Sequence, residues 1–205
     1  MARIKAKEKK ERSLGVKLFL KAHRCNSPKC AMVRHATKPG MHGKRRRQSA
    51  SEFGQQLAEK QKIKVIYGLK EAQIRKIFQE AVRKGTASQV LGTLERRFDN
   101  VIFRLGFAPS RIVARQYISH GHFMINGIKT NIPSYRARIG DVISVKPSSK
   151  DLLIFKELPN TIKKHDLPDW LTINFDKMEG KVKSLPINVE EELFNINLVV
   201  DYYSR

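Results

Sequence analysis

Acidic residues are scarce in this chain: 19 Asp plus Glu stand against 41 Lys plus Arg, a formal net charge of +22 over 205 residues. A compact fold with such an excess repels itself, so the missing acid points to a polyanionic partner. Cysteine is nearly absent. Cys25 and Cys30 lie in one basic stretch and cannot form a disulfide framework. No run of about 18 apolar residues occurs, which argues against a transmembrane helix. The start, Met1-Ala2-Arg3-Ile4-Lys5, lacks the apolar stretch of a signal peptide. The expectation is a reducing, cytoplasmic compartment and no membrane partner. Phosphate-binding glycine loops of the Gly-x-Gly-x-x-Gly or Gly-x4-Gly-Lys-[Ser/Thr] type are missing. The six histidines stand without a paired nucleophile and oriented acid. Neither an enzymatic activity nor a small-molecule substrate is expected.

The charge that is present is unevenly placed. Residues 1–50 hold 16 basic and 2 acidic side chains, residues 51–150 hold 18 and 7, and residues 151–205 hold 7 and 10. The first fifty residues read as an extended basic arm punctuated by Gly15, Pro28, Pro39, Gly40 and Gly43, with few apolar residues beyond Val16 to Leu20. Such a stretch cannot repay its ordering entropy alone and should order against its partner or the rest of the protein.

From Ser51, a plausible N-cap, the pattern turns helical, with Phe53, Leu57, Ile63 and Ile66 as an apolar stripe before Gly68. Ile74, Ile77, Phe78 and Ala81 repeat at helical spacing toward Gly85. A third helix is expected from Ser88 to Leu105, with Leu91, Leu94, Phe98, Val101, Ile102 and Leu105 inward and Arg96, Arg97 and Arg104 outward. Ser110 caps a short helix that places Arg111 and Arg115 on one face and ends at Gly121. Phe123 to Ile125, the Asn126-Gly127 turn and Ile128 to Thr130 read as a hairpin, and Val142 to Val145 as another strand. In the tail, Leu152 to Phe155, Leu171 to Ile173 and Leu198 to Val200 are short apolar runs among prolines, read as strands and loops closing on an earlier sheet. Trp170 reads as packing.

The expected fold class is α+β: a mainly helical N-terminal domain with a basic extended arm, a small RNA-binding module of a helix pair on a sheet, and a β-rich C-terminal closure. The expected boundaries are 1–50 for the arm, 51–92 and 171–205 for the helical domain with its C-terminal packing segment, 93–150 for the RNA-binding domain and 151–170 for a connection. Guanidinium forks and oriented N–H donors suit phosphates, while little here could read base edges in a duplex. Recognition by shape and backbone follows.

Particular residues carry a family resemblance. Leu94-Glu95-Arg96-Arg97-Phe98-Asp99-Asn100-Val101, Arg104-Leu105-Gly106-Phe107-Ala108, Ser119-His120-Gly121-His122, Asn126-Gly127, Ile132-Pro133-Ser134-Tyr135-Arg136 and Val142-Ile143-Ser144-Val145 resemble the RNA-binding module of the S-four family of small-subunit ribosomal proteins. Pro39-Gly40-Met41-His42-Gly43, Leu57 to Lys62, Ile66-Tyr67-Gly68 and the ending Tyr203-Ser204-Arg205 resemble the rest of that family, so nearly the whole chain is covered. An RNA-modifying enzyme carrying the same module would need a separate catalytic domain, and the residues outside the module are too few and too basic for one.

The resemblance implies a structural constituent of the small ribosomal subunit. It would be a primary RNA-binding assembly protein that organises the 5′ domain of the small-subunit RNA and contributes to translational accuracy where message enters. Its implied partners are small-subunit ribosomal RNA, the neighbouring ribosomal proteins S-five and S-three, and messenger RNA. The RNA-binding candidates are Arg3, Lys5, Lys44, Arg45, Arg46, Arg47, Lys60, Lys62, Arg96, Arg97, Asn100, Arg104, Ser110, Arg111, Arg115, Gln116, His120, His122, Asn126, Lys129, Ser134, Tyr135 and Arg138. The run from Lys44 to Arg47 either faces message or neutralises ribosomal-RNA backbone, and His120 and His122 either contact RNA or cap a helix. Some members of the family bind zinc through four thiolates. Here Glu8 and Glu11 occupy the positions that match the first pair, leaving Cys25 and Cys30 as remnants of a site, with His23 and His35 as conceivable substitutes. No metal or other cofactor is expected.

Overall fold

A computed structural model of the chain describes residues 6–44, 49–83, 87–156, 158, 166–175, 177–186 and 193–204. The chain divides into two compact units, Met1–Val90 with Val189–Arg205, and Leu91–Asn188.

The first unit is helical. Its arm contains α1 (Lys7–Leu14), α2 (Ala22–Cys25) and α3 (Ala31–Arg34). The arm is therefore less extended than its punctuation implies. Leu18, Leu20, Cys25 and Cys30 are buried and give it a small interior of its own, and Gly15 ends α1 in the left-handed conformation at φ 73°. The long helix α4 (Glu52–Ile66) starts where the Ser51 Oγ accepts the Gly54 N–H at 3.2 Å. Ile63 and Ile66 are buried, whereas Phe53 is half exposed and meets Tyr202 at 5.7 Å between ring centroids. On α5 (Glu71–Arg83) the stripe of Ile74, Ile77, Phe78 and Ala81 is buried as the spacing requires.

The last element, α10 (Ile196–Ser204), packs on α4 and α5. It corrects the strand expected at Leu198 to Val200: Val199, Tyr202 and Tyr203 fall at i, i+3 and i+4, and Tyr203 stacks on Phe78 at 5.1 Å.

The second unit is a helix pair against an antiparallel sheet. After α6 (Ala87–Glu95) the helix breaks, contrary to the single helix expected through Leu105. Arg97 takes an extended conformation and bridges Arg136; the Phe98 N–H donates to the Tyr135 carbonyl, and the Ala137 N–H to that of Arg96, both at 2.8 Å. Backbone pairing to a distant segment thus replaces two helical hydrogen bonds, a choice that no local propensity encodes. The chain continues as α7 (Phe98–Arg104) and α8 (Arg111–Ser119), which pack together.

Five strands follow: β1 (Phe123–Ile125), β2 (Ile128–Lys129), β3 (Val142–Val145), β4 (Leu171–Asn174) and β5 (Glu179–Val182), in spatial order β2-β1-β3-β5-β4. The β1–β2 turn has positive φ at both Asn126 (50°) and Gly127 (79°), the backbone that the Asn-Gly pair favours in tight hairpins. The register pairs Phe123 with Val145 and Ile125 with Ile143. Their inward faces join Phe98, Phe107, Phe155 and Trp170 in one core. Gly180 lets β5 approach α7, since a Cβ there would lie 2.5 Å from Leu105 Cδ1.

Leu171–Asn174 and Glu179–Val182 therefore belong with the RNA-binding module and not with the helical domain expected to hold them, because β4 and β5 extend the module's sheet through β3. Residues 151–170, expected as a mere connection, supply Phe155, Leu158 and Trp170 to the same core. The run Leu152 to Phe155 is not a strand but enters a short helix, α9 (Leu153–Lys156).

Candidate nucleic-acid interface

Two buried carboxylates organise the cationic side of the helix pair. Glu95, 0 % exposed, accepts Arg104 Nε at 3.0 Å and Nη2 at 3.3 Å, and Asn100 Nδ2 at 2.9 Å; Arg111 Nη2 lies 3.9 Å away. Asp99, also buried, accepts Arg97 Nε at 3.2 Å and Nη2 at 2.9 Å, and Arg115 Nε at 3.0 Å. Asn100 links the two clusters, since its Oδ1 accepts Arg111 Nε at 2.7 Å and its N–H donates to Asp99. Burial alone would raise the carboxyl pKa of Glu95. The charge and hydrogen bond of Arg104, then Arg111 and Asn100, outweigh it and hold the group below the ordinary range.

The spacing has a simple origin. The break before α7 brings Glu95 and Asp99 to the base of α7, and α8 crosses so that Arg111 and Arg115, one turn apart, meet one carboxylate cluster each. Arg111 also stacks on the Phe103 ring at 4.6 Å. Four guanidiniums on two carboxylates leave a net positive array: Arg97 and Arg104 are held by bidentate bonds, Arg115 by two bonds to one Asp99 oxygen, and Arg111 by the Asn100 amide oxygen. Arg104, Arg111 and Arg115 remain partly exposed, and Gln116 and His120 are exposed along α8. This array can neutralise phosphates at fixed positions. It contains no nucleophile paired with a base.

Residues 3–95 match the family profile described as Ribosomal protein S4/S9 N-terminal domain, and residues 96–143 match the S4 domain. The small ribosomal subunit protein uS4 of Syntrophomonas wolfei is 48% identical over 194 residues, covering 93% of each chain. The uS4 of Thermus thermophilus is 45% identical over the same length and share. The uS4 of Heliobacterium modesticaldum is 45% identical over 199 residues, again 93% of each chain. The chain belongs to the uS4 family. That family is one of structural, non-enzymatic proteins.

Beyond Asn100, Arg104, Arg111 and Arg115 of the array, the uS4-type candidates fall into three groups in this chain. Arg3, Lys5, Arg45, Arg46 and Arg47 lie outside the described residues. Exposed are Lys44, Gln116, His120, Lys129, Ser134 and Arg138.

The third group is occupied within the fold, which changes the reading of several residues. Lys60 is 5 % exposed and donates to Glu71 Oε1 at 2.8 Å and to the Tyr202 hydroxyl at 3.1 Å. It pins α4 to α5 and α10, with its ammonium buried between them. Burial opposes its charge, yet the bonds to Glu71 and Tyr202 raise its pKa. Lys62 donates to Glu59 at 2.6 Å. Arg97 is buried on Asp99 and does not point outward as the helical pattern implied.

Arg96 Nε donates to the Ala137 carbonyl at 2.8 Å. Ser110 caps α8, its Oγ accepting the Val113 N–H at 3.4 Å. Asn126 and Tyr135 both serve Asp141: Asn126 Nδ2 donates to Oδ1 at 2.9 Å and the Tyr135 hydroxyl to Oδ2 at 3.0 Å. His122 lies 3.0 Å from Ser149 Oγ, and its pKa is lowered by burial, then by His120 and Lys146. Glu95, Asp99 and Asp141 were not among the candidates from sequence. Their one visible signal was isolated acid within a basic segment.

The residues matching a zinc site do not fit one. Glu11 is 1 % exposed, and its Oε1 accepts the N–H groups of Leu18 at 3.2 Å and Leu20 at 3.0 Å. Cys25 Sγ lies 3.8 Å from the same oxygen. Burial raises the Cys25 thiol pKa, a backbone hydrogen bond at Lys21 opposes this, and the charge of Glu11 raises it further. Glu8 is paired with Arg24 at 3.2 Å and Lys21 at 3.5 Å. Zinc needs deprotonated sulfur and accessible lone pairs, whereas this carboxylate disfavours a neighbouring thiolate and is spent on backbone donors.

Proposed function

We propose that the protein is a structural constituent of the small ribosomal subunit in the cytoplasm, bound to small-subunit RNA. It would be a primary assembly protein, organising the 5′ domain of that RNA by gripping phosphates rather than reading bases. The observation that carries this reading is the partly exposed arginine array of Arg104, Arg111 and Arg115, fixed by Glu95 and Asp99 with Arg97 buried behind it. Fixed guanidiniums meet a folded phosphate surface without paying ordering entropy at binding. A contribution to accuracy where message enters, beside ribosomal proteins S-three and S-five, follows from the family resemblance and belongs to the same proposal. So does a metal-free arm, supported by the engagement of Glu8 and Glu11.

The direct test is sedimentation of the native protein together with binding to small-subunit RNA across a salt series. Stable co-migration with small subunits is expected, as is a steep linear fall of log K with log salt. A free pool with a nearly flat salt response would sink the reading. Elemental analysis of the purified protein should find no stoichiometric zinc.

A further inference from the structure

Asp141 is a buried carboxylate of a different kind from Glu95 and Asp99. Those two face guanidiniums, whereas the donors to Asp141 are all neutral. Its Oδ1 accepts Asn126 Nδ2 at 2.9 Å, and its Oδ2 accepts both the Tyr135 hydroxyl at 3.0 Å and the Arg138 N–H at 2.8 Å. Among the described residues Asp141 makes no ion pair. A carboxylate taken out of water without a counter-charge is costly unless its oxygens are bonded, so this acid serves geometry rather than charge balance. Two oxygens that both accept can gather three donors; an amide there would offer one acceptor.

The three donors come from separate places. Asn126 lies in the β1–β2 turn, and its Oδ1 accepts the Val142 N–H at 2.9 Å, while Tyr135 and Arg138 belong to the irregular segment between β2 and β3. Asp141 is itself anchored, since its carbonyl accepts the Val182 N–H of β5 at 3.1 Å. On its other side the same segment is bonded to the start of α7. The Pro133 carbonyl accepts the Asp99 N–H at 3.2 Å, beside the bonds of Tyr135 to Phe98 and of Ala137 to Arg96. Residues 133–138 are thus held between Asp141 and the backbone that carries the arginine array. Ala137 is 0 % exposed, whereas Arg136 and Arg138 on either side of it are exposed, so alternation places both on the outer face. Without these bonds an irregular segment samples many backbone states, and ordering it at binding costs affinity.

Resting on the ribosomal-RNA reading above, we infer that Asp141 is a positioning residue for RNA binding. It touches no RNA; through the Tyr135 hydroxyl and the Arg138 N–H it holds Arg136 and Arg138 in register with the array of Arg104, Arg111 and Arg115. The module then presents two groups of cations in one fixed arrangement, which a folded phosphate surface can match.

The test uses the full-length protein and small-subunit RNA across a salt series, with denaturant unfolding measured alongside. Asp141→Asn keeps the side chain's size but turns one acceptor oxygen into a donor, which then faces donors. The paired swap Asn126→Asp with Asp141→Asn reverses donor and acceptor: the amide at 141 donates to the carboxylate at 126 and keeps its oxygen for Tyr135 and Arg138. Aspartate tolerates the positive φ of position 126. Asp141→Asn should bind about tenfold more weakly, with a log K–log salt slope reduced by about 1–2 for the contacts of Arg136 and Arg138. A purely structural role lowers the folded fraction and shifts log K alike at every salt, leaving the slope intact. The swap should return the wild-type slope. In an Arg136→Gln, Arg138→Gln background, Asp141→Asn should move the slope no further. An unchanged slope in Asp141→Asn, a further fall in that background, or a swap that recovers stability without the slope overturns the inference. Where Asp141→Asn or the swap does not fold, Tyr135→Phe decides, because it deletes one bond to Asp141 and keeps the ring: a reduced slope supports the role and a wild-type slope overturns it. A wild-type chain that does not bind the RNA overturns the functional reading itself and this role with it.

Discussion

The arm and the RNA-binding module both place rare carboxylates beneath many cations, but they rest on different foundations. In the module, Glu95 and Asp99 lie beside a continuous core that includes Phe98, Phe107, Phe123 and Phe155, so each ion pair inherits rigid walls. In the arm, Glu11 does the work of a core. Among the described residues of the arm, the buried apolar side chains are Leu18, Leu20, Cys25 and Cys30, and the Glu11 carboxylate gathers two backbone N–H groups that would otherwise be buried without partners. The difference teaches that a buried acid can serve two purposes in a cationic protein: aiming guanidiniums where packing is already secure, and replacing packing where apolar side chains are few.

Removing the acids should break the two regions differently. Glu95→Ala leaves Arg104 and Arg111 without their buried counter-charge and should cost about 3–5 kcal/mol in global unfolding by denaturant. Glu95→Gln should restore part of that stability but still lower RNA affinity, because a neutral amide cannot hold the bidentate Arg104 pair. Equal affinity for Glu95→Gln and wild type would show that aim is irrelevant.

Glu11→Ala should act locally and cost about 2 kcal/mol, the loss of charge-assisted bonds to Leu18 and Leu20. Its readout is the rate at which a thiol reagent modifies Cys25 and Cys30, both 2 % exposed. Faster modification with little change in module unfolding is expected. Glu11→Gln, which keeps an acceptor oxygen, should lie between. Unaltered thiol protection in Glu11→Ala would contradict the substitution of a carboxylate for packing.

Ser110→Ala removes the cap of α8 and should destabilise the module by about 1 kcal/mol, measured by thermal or denaturant unfolding. The smallest effect belongs to Glu71. Burial raises its carboxyl pKa, but hydrogen bonds from Lys60 and Lys64 overcome this and pull it down to about 2 from an ordinary 4.5. A folded-state value below the unfolded one means that its stabilisation is complete above about 4.5 and is lost as pH falls toward 2. The side chain is 46% exposed, so solvent screening keeps the contribution modest. Glu71→Gln should flatten that part of the acid limb; an identical pH profile would remove Glu71 from the account.

Much of this was legible before any coordinates. Ser51 and Ser110 announced their helices because a side-chain acceptor beside free N–H groups is a local matter. The apolar spacing of Ile74, Ile77, Phe78 and Ala81 identified a buried face, and Asn126-Gly127 a tight turn. The site was less legible. Arg96, Arg97 and Arg104 were expected to share an exposed helical side; the break before α7 put Arg97 on Asp99 and Arg104 on Glu95. Lys60 looked like one more basic contact until Tyr202, far along the chain, supplied its buried partner.

By itself the sequence determined the class of partner, the secondary elements with strong periodicity or caps, and the family. Each of these depends on composition, on neighbours within a turn, or on residues in series. Only the tertiary structure decided which cations are spent inside the fold and which remain exposed. It moved Leu171–Asn174 and Glu179–Val182 into the module's sheet, made Leu198 to Val200 helical against α4 and α5, and closed the arm around Glu11. The physical reason is common to all three. An ion pair, a strand edge and a buried face are completed by partners distant in sequence, and their free energy exists only once the chain has brought them together.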